Sequence, residues 1–316
     1  MRLTILLAAS FLLQAQDFPA LPSRPVPEWP QLPPGWNLKE TAGVASDARG
    51  HVYVFHRGDN PILEFDHNGW FVRTFGYGLF DRAHSIRVDP QGNIWTVDDG
   101  AHTVLKLDLS GRVRMVLGRY RVNSEAPSGI VYTGLGGNMR GDRDEAHIRF
   151  YRPTDVAFSS DGAIFVADGY GNSRVVKFAP DGTFLKTWGK RGAGEGEFNT
   201  PHSIVVDRLG RVYVADRENY RIQIFDLDGK FLAQWKHVGA PWGLALSPDH
   251  QFLYMCDGYN NRVLKLALDG KVVGSFGTPG KLPGQFTYAH QIAAGLDGAI
   301  YTAEILNWRA QKFLVP

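Results

Sequence analysis

Short runs of alternating apolar and polar residues, separated by turns rich in Asp and Gly, recur along most of the chain. Each complete unit holds four such runs, and turns such as Asp89–Gly92 are typical of successive β-hairpins. A repeat of roughly 40 to 48 residues with four strands predicts an all-β fold, a six-bladed β-propeller with four-stranded blades. The six units start at Ala42, Ala83, Pro153, Pro201, Pro241 and Ala289.

The repeat also predicts how the chain is organised. We expect the propeller to span 39–316, with an insertion at 119–149 between the second and third units. The insertion is interpreted as a surface loop, and a lid over one face is the functional alternative. The sixth unit ends at Pro316 after three runs, so a segment before Ala42, Trp36 to Glu40, is expected to supply its outer strand.

The N-terminal region differs from the repeat in composition. Residues 1–16 hold a basic start and a short apolar run, which predicts a secretory signal peptide and a secreted or periplasmic protein without an integral membrane segment after signal cleavage. An uncleaved anchor is the alternative. Residues 17–38 are rich in proline and predict an extended lead-in. Cys256, the sole cysteine, excludes an internal disulfide. With 34 basic and 32 acidic residues, nothing indicates a nucleic-acid partner.

Histidine occupies one repeat position in alternate units. The position at the start of the innermost strand is Ala42, His84, Thr154, His202, Trp242 or His290 in the six units. Alternate blades of a six-bladed ring are related by about 120°, so the three imidazoles are predicted to meet on the channel axis. A set of three histidines leaves coordination positions open, as in catalytic zinc sites. Zinc is the favoured ion, although iron, copper and manganese also accept imidazole.

A second repeated position lies near the end of the next strand: His56, Asp98, Asp168, Asp216, Asp257 and Glu304. We interpret these residues as turn acceptors common to the repeat. The alternative is that those in the histidine-bearing units, Asp98, Asp216 and Glu304, orient the imidazoles.

Arg57, Tyr170 and Arg217 lie just beyond this position and are expected on the same face as the histidines. Two fixed cations suit a carboxylate, and cations or a metal could lower the pKa of a phenol toward base function. The pattern predicts a pocket for a small anionic group beside a Lewis acid. The expected partner is therefore a small carboxylate-bearing substrate.

With these residues placed, the chain resembles the peptidyl-α-hydroxyglycine α-amidating lyase (peptidylamidoglycolate lyase) family, a six-bladed propeller of NHL-type repeats. The resemblance covers about residues 50 to 316. Its most specific stretches are HRGD at 56–59, GEFNTPHSIVV at 196–206, VADRENYRIQIF at 214–225 and the run from Pro153 to Phe178.

The resemblance implies roles for individual residues. His84, His202 and His290 would bind catalytic zinc, Tyr170 would be the catalytic base, and Arg57 and Arg217 would hold the substrate carboxylate. The implied reaction cleaves the C–N bond of a peptidyl-α-hydroxyglycine and releases a peptide amide and glyoxylate.

Two positions depart from the family pattern. Gln291 stands where the family has the acidic residue of a structural calcium site, which argues against Ca2+ as a second cofactor. Tyr288 replaces a methionine that lines the family's active site, so we assign it to the substrate pocket. Two other functions remain open, a non-catalytic NHL propeller that binds a protein or glycan and a propeller lactonase or hydrolase. Carboxylate-ligated calcium is usual in the latter, and three histidines argue against it.

Overall fold

The computed structural model describes residues 17–124 and 149–316. These residues form strands and turns, with one turn of 3-10 helix at Arg217–Asn219. Six sheets of four antiparallel strands form the blades, and in each of the first five the strand that comes first in the chain is innermost. The sixth sheet takes its outermost strand from the N-terminal segment. The predicted six-bladed β-propeller is confirmed. The expected signal peptide at 1–16, and residues 125–148 of the predicted insertion, lie outside the described residues.

The blades have the following strands, given from the channel outward. Blade 1 is Thr41–Ser46, Val52–His56, Ile62–Phe65 and Phe71–Phe75; blade 2 is Ala83–Val88, Ile94–Asp98, Thr103–Leu107 and Val113–Gly118. Blade 3 is Asp155–Phe158, Ile164–Asp168, Arg174–Phe178 and Phe184–Trp188; blade 4 is Pro201–Val206, Val212–Asp216, Arg221–Phe225 and Phe231–Lys236. Blade 5 is Pro241–Leu246, Phe252–Asp257, Arg262–Ala267 and Val272–Phe276; blade 6 is Ala289–Ala294, Ile300–Glu304, Arg309–Leu314 and Arg24–Pro25.

The core is divided into six apolar clusters, each between two neighbouring blades. The second strand of a blade is buried on both faces, as in Val212–Asp216, whereas the outer strand Phe231–Lys236 is largely accessible. A strand that is covered on both faces consists of a continuous apolar run, whereas in an edge strand apolar and polar residues alternate. The graded burial explains why the inner runs are the most apolar parts of each repeat.

The ring closes through the N-terminal lead-in, but not through the segment that the sequence predicts. Arg24–Pro25 pairs antiparallel with Arg309–Leu314 and completes blade 6. Trp36 instead packs on Phe71 of blade 1, and the backbone of Glu40 accepts a hydrogen bond from the N–H of Arg57. Proline cannot donate to a strand ladder, so the lead-in can pair only as a short edge strand. The high proline content of the lead-in is therefore compatible with the outermost strand position of the blade.

The lead-in also contributes side chains to the core. Trp29 is buried between blades 6 and 1, with its ring 5.0 Å from that of Tyr301 and 6.3 Å from that of Phe65. The N-terminal lead-in and the C-terminal blade thus meet at the interface between blades 6 and 1, and this contact closes the ring.

Replacing Trp29 with Ala should lower the free energy of unfolding by about 3–5 kcal/mol, because it removes a large aromatic side chain from the closing interface. Urea denaturation followed by circular dichroism measures this change. The matched control is Trp70→Ala, whose side chain is 60% exposed and should change stability by less than about 0.5 kcal/mol. Equal effects of the two substitutions would show that the lead-in does not stabilise the ring.

Candidate functional site

One face of the propeller carries all the predicted site residues. The first strand of each blade begins where the second ends, as the pairing of Ala83 with Asp98 shows. Loops between the second and third strands, and those that enter each blade, therefore open on this face. We call it the histidine face.

The three histidines meet in the channel at this face. His84, His202 and His290 are buried, and one ligand atom from each lies within 4.8 Å of the others. Their ring centroids are 4.8 to 4.9 Å apart. This convergence matches the prediction from alternate blades, and the three side chains could hold a metal ion.

Each imidazole is oriented by a backbone carbonyl of the following blade. The Nδ1 atoms of His84, His202 and His290 lie 2.6, 2.7 and 2.7 Å from the carbonyl oxygens of Thr154, Trp242 and Ala42. A carbonyl only accepts, so each Nδ1 carries the proton and each Nε2 keeps a free lone pair. The alternative that Asp98, Asp216 and Glu304 orient the histidines is wrong.

The electrostatic environment keeps these rings neutral. Burial lowers the pKa of all three imidazoles well below the ordinary histidine value. Nearby positive charge acts in the same direction, chiefly Arg57 on His84 and Arg217 on His202. Neutral imidazole is the form that ligates a metal, so the residues present fit such an ion.

The acidic repeat position has the structural role that we favoured. Asp98 accepts hydrogen bonds from the backbone N–H groups of Asp81, Arg82, Gly100 and Ala101. Asp168, Asp216 and Asp257 each accept a backbone N–H from the preceding blade-entry loop and pair with an arginine on the third strand. These carboxylates fix loops of the histidine face, including those that carry Tyr170 and Arg217, whereas His56 holds the loop of Arg57 through the N–H of Lys39 and the carbonyl of Asn60.

Tyr170 lies directly over the histidines. Its hydroxyl is 3.0 Å from Nε2 of His84 and 3.0 Å from Nε2 of His202. Nη1 of Arg217 lies 3.5 Å from the same oxygen. Burial raises the pKa of Tyr170, and Arg217 opposes that rise. Burial therefore outweighs the effect of Arg217 on the phenol pKa, and a lowering by a bound metal stays a prediction.

Arg217 is held in place from several sides. Its Nε donates to Oε1 of Glu218 at 2.8 Å, and its guanidinium lies 4.8 Å from the ring centroid of Trp242. The Tyr259 hydroxyl donates to the same Glu218 oxygen at 2.9 Å. A planar cation stacked on an aromatic face and fixed at one edge is preorganised to bind a carboxylate.

Arg57 lies on blade 1, on the other side of the channel mouth from Arg217. Its Nε donates to the backbone carbonyl of Ala83 at 3.1 Å, immediately before His84. Burial lowers its pKa from the ordinary arginine value, and the charge of Arg82 adds to this effect. A partly desolvated guanidinium gains from an anionic partner. The structure thus brings all three predicted residues to the same mouth.

Sequence reasoning missed a second cationic group at this mouth. The guanidinium of Arg152 lies 5.0 Å from the ring centroid of Tyr170, and both Arg152 and Arg82 pair with the buried Oδ2 of Asp99. Arg82, Arg152 and Tyr288 each stand two residues before the channel position of their blade. Aligning that repeat position would have found the two arginines.

Tyr288 borders the histidines from blade 6. Its ring is 5.3 Å from that of Trp242, which itself lies 5.5 Å from His202 and 5.8 Å from His290. Tyr288 has a left-handed backbone with φ of 57°, and its N–H donates to Oδ1 of Asn261 at 2.8 Å. A bulky residue with positive φ is uncommon, and such conformations cluster at functional sites.

Gln291 does not form a calcium site. Its Oε1 accepts hydrogen bonds from the backbone N–H groups of Val44 at 3.0 Å and Ile86 at 3.3 Å. An oxygen that faces two N–H donors is unavailable to a cation, which requires several free oxygen ligands. The residues at this position therefore do not fit Ca2+, and the amide instead links blade 6 to blades 1 and 2.

Comparisons with known proteins agree with this arrangement. A family model described as a 6-bladed beta-propeller matches residues 148–292. NHL repeat-containing protein 3 of Homo sapiens is 30% identical over 307 residues, which cover 90% of this chain and 82% of that protein. The chain belongs to the NHL-repeat propeller family.

The chain is also similar to amidating enzymes. The peptidylglycine alpha-amidating monooxygenase of Rattus norvegicus is 32% identical over 90% of this chain, and the chain spans about a third of that protein, 31% of its length. The peptidyl-alpha-hydroxyglycine alpha-amidating lyase 1 of Drosophila melanogaster is 28% identical over 88% of this chain and 57% of that protein.

Solved structures agree on the fold. A gluconolactonase of Xanthomonas campestris superposes with a TM-score of 0.64 at 15% identity, over 96% of both chains.

Across 17–124 and 149–316, no helix is long and apolar enough to cross a membrane.

If the histidine triad of this family member holds a metal, purified protein should retain about one ion per chain after extensive dialysis. His84→Ala, His202→Ala and His290→Ala should each lose most of that ion, because two imidazoles bind far more weakly than three. Inductively coupled plasma mass spectrometry measures the content. His67→Ala, at an exposed turn of blade 1, is the control and should retain it. Retention by all three site variants would contradict a metal site here.

Proposed function

We propose that this chain is a zinc-dependent carbon–nitrogen lyase that cleaves a peptidyl-α-hydroxyglycine-like carbinolamide to an amide and glyoxylate. The observation that carries the proposal is the position of the Tyr170 hydroxyl, 3.0 Å from Nε2 of both His84 and His202 and 3.5 Å from Arg217. An ionisable group, a metal-ligand set and a carboxylate-binding cation thus meet around one small volume. The lyase relatives support the same reaction class.

His84, His202 and His290 would hold the zinc through their Nε2 atoms. Bound zinc supplies Lewis acidity, which lowers the pKa of a hydroxyl group and stabilises developing negative charge. Three neutral imidazoles with protonated Nδ1 atoms form a donor set that suits zinc.

The side chains around the histidines have separate tasks. Arg57 and Arg217 bind the carboxylate from opposite sides of the mouth and fix the orientation of the substrate. Tyr170, in its phenolate form, accepts the proton of the substrate hydroxyl as the carbon–oxygen double bond of glyoxylate forms. The C–N bond breaks, its electron pair remains on nitrogen, and the proton is delivered to that nitrogen to give the neutral amide. Arg217, near the phenol oxygen, stabilises the phenolate.

We also propose that the protein acts outside the cytoplasm. The expected signal at 1–16 carries this part of the proposal. A single buried cysteine, Cys256, is compatible with an oxidising compartment because it is inaccessible and unreactive there.

Purified, zinc-loaded protein should release glyoxylate from α-hydroxyhippurate. Tyr170→Phe should lower kcat by about 10²- to 10⁴-fold, the usual contribution of a general acid–base group. Glyoxylate is measured by its hydrazone absorbance, and the zinc content of the variant should match that of the wild type, since Tyr170 is not one of the three ligands.

Tyr77→Phe, in a loop where the ring is 82% exposed, is the control and should leave kcat unchanged. Absence of glyoxylate from fully zinc-loaded wild-type protein would refute the lyase assignment. It would favour the alternative of a non-catalytic binding propeller.

A further inference from the structure

The mouth above the histidines is divided into a cationic half and an aromatic half. Arg57 projects from blade 1, Arg82 from the loop that enters blade 2, Arg152 from the loop that enters blade 3, and Arg217 from blade 4. The remaining sector, formed by blades 5 and 6, carries Trp242, Tyr259 and Tyr288. A substrate bound here therefore meets charge on one side and aromatic rings on the other.

The three aromatic residues form one continuous wall. The ring centroids of Trp242 and Tyr259 are 5.3 Å apart, those of Trp242 and Tyr288 are 5.3 Å apart, and those of Tyr259 and Tyr288 are 6.4 Å apart. Trp242 begins the wall beside the histidines, and its ring lies 5.5 Å from His202. The wall thus extends from the reacting centre to the rim.

The wall is only partly buried: Trp242 packs against the apolar cluster between blades 5 and 6, and the wall reaches the surface from there. Tyr259 is 41% exposed, and Leu306, at the corresponding place in the next loop, is 54% exposed. Trp242 and Tyr288 are partly accessible at the channel entrance. Large apolar side chains grouped at a polar mouth mark a binding surface more often than a folding requirement.

The wall is also rigid. Tyr288 is held in its left-handed conformation by bonds at both backbone groups: its N–H donates to Asn261, and its carbonyl accepts from the N–H of Ile305 at 3.3 Å. Tyr259 is fixed through its hydroxyl to Glu218. Preorganised aromatic rings bind a flat apolar group with little loss of conformational entropy.

The chemistry of the proposed substrate indicates which part of the substrate contacts the aromatic wall. In a carbinolamide the carboxylate and the acylated nitrogen are attached to the same carbon. When Arg57 and Arg217 hold the carboxylate above the histidines, the acyl group must extend in another direction. The aromatic half offers it ring faces that stack with other rings, on the side of the mouth away from Arg82 and Arg152.

We propose that the wall of Trp242, Tyr259 and Tyr288 selects carbinolamides that carry an aromatic ring in their acyl portion. This inference rests on the proposed lyase function and names its substrate class. The ring could belong to a simple aroyl group or to an aromatic residue that precedes the α-hydroxyglycine in a peptide; both offer the wall the same flat apolar face.

The test compares three substrates with wild-type protein: the N-benzoyl, N-acetyl and N-acetyl-phenylalanyl derivatives of α-hydroxyglycine. We expect kcat/KM to be at least about 10-fold higher for one or both aromatic substrates than for the N-acetyl compound, in the range that apolar pockets provide. Preference for the benzoyl compound indicates an aroyl group, and preference for the phenylalanyl compound indicates a peptide residue.

Tyr288→Gly should remove most of this preference, because glycine adopts the left-handed backbone without strain while the ring is lost. Tyr259→Leu should reduce the preference in part. Tyr259→Phe keeps the ring and removes only its hydroxyl bond to Glu218, so it distinguishes the effect of the ring from the effect of that bond. Tyr77→Leu, on the same face but outside the wall, is the matched control and should keep the wild-type ratio.

Calorimetric binding of N-benzoylglycine and N-acetylglycine, which lack the hydroxyl and are not cleaved, gives a second readout. Glyoxylate release with equal kcat/KM for all three substrates would overturn the inference and leave the lyase function intact. If no substrate releases glyoxylate, the lyase function fails. Tighter binding of N-benzoylglycine that is lost in Tyr288→Gly would then still support the wall, and equal affinities would refute it.

Discussion

The hydrogen bond from each histidine Nδ1 to a carbonyl of the next blade is the interaction on which the site depends. His84, His202 and His290 lie on blades 2, 4 and 6, and their acceptors lie on blades 3, 5 and 1. Every blade therefore contributes either an imidazole or the carbonyl that orients one. The third bond crosses the point where the ring closes, because His290 and Ala42 belong to the last and first blades.

Burial has opposite consequences for the two kinds of ionisable group at this centre. The channel lowers the pKa of the imidazoles, which favours the neutral ligand form, and raises the pKa of Tyr170, which opposes a phenolate. Arg217 reduces the cost of a phenolate, and it is itself stacked on Trp242 and tied to Glu218. The position of one arginine thus links the proposed base, the carboxylate site and the aromatic wall.

Much of this arrangement followed from the repeat. The spacing of the units predicted six blades, the phase of the histidines predicted their convergence, and the residues beyond the acidic position were correctly placed on the histidine face. The outer strand of blade 6 was assigned to the wrong segment. Pairing at a sheet edge is set by which backbone reaches it, and the proline pattern of 17–38 does not reveal that.

The sequence by itself determined the repeat, the ring of histidines and the residue types at the mouth, because a fixed period carries each repeat position to an equivalent place in the ring. Only the tertiary structure decided what surrounds those residues. The carbonyls that orient the histidines carry no side-chain signal. Arg152 and Tyr288 belong to entry loops whose left-handed residues set their direction, and the net effect on Tyr170 depends on its burial among neighbouring blades. Orientation, desolvation and contacts across the channel arise between blades, so no single repeat encodes them.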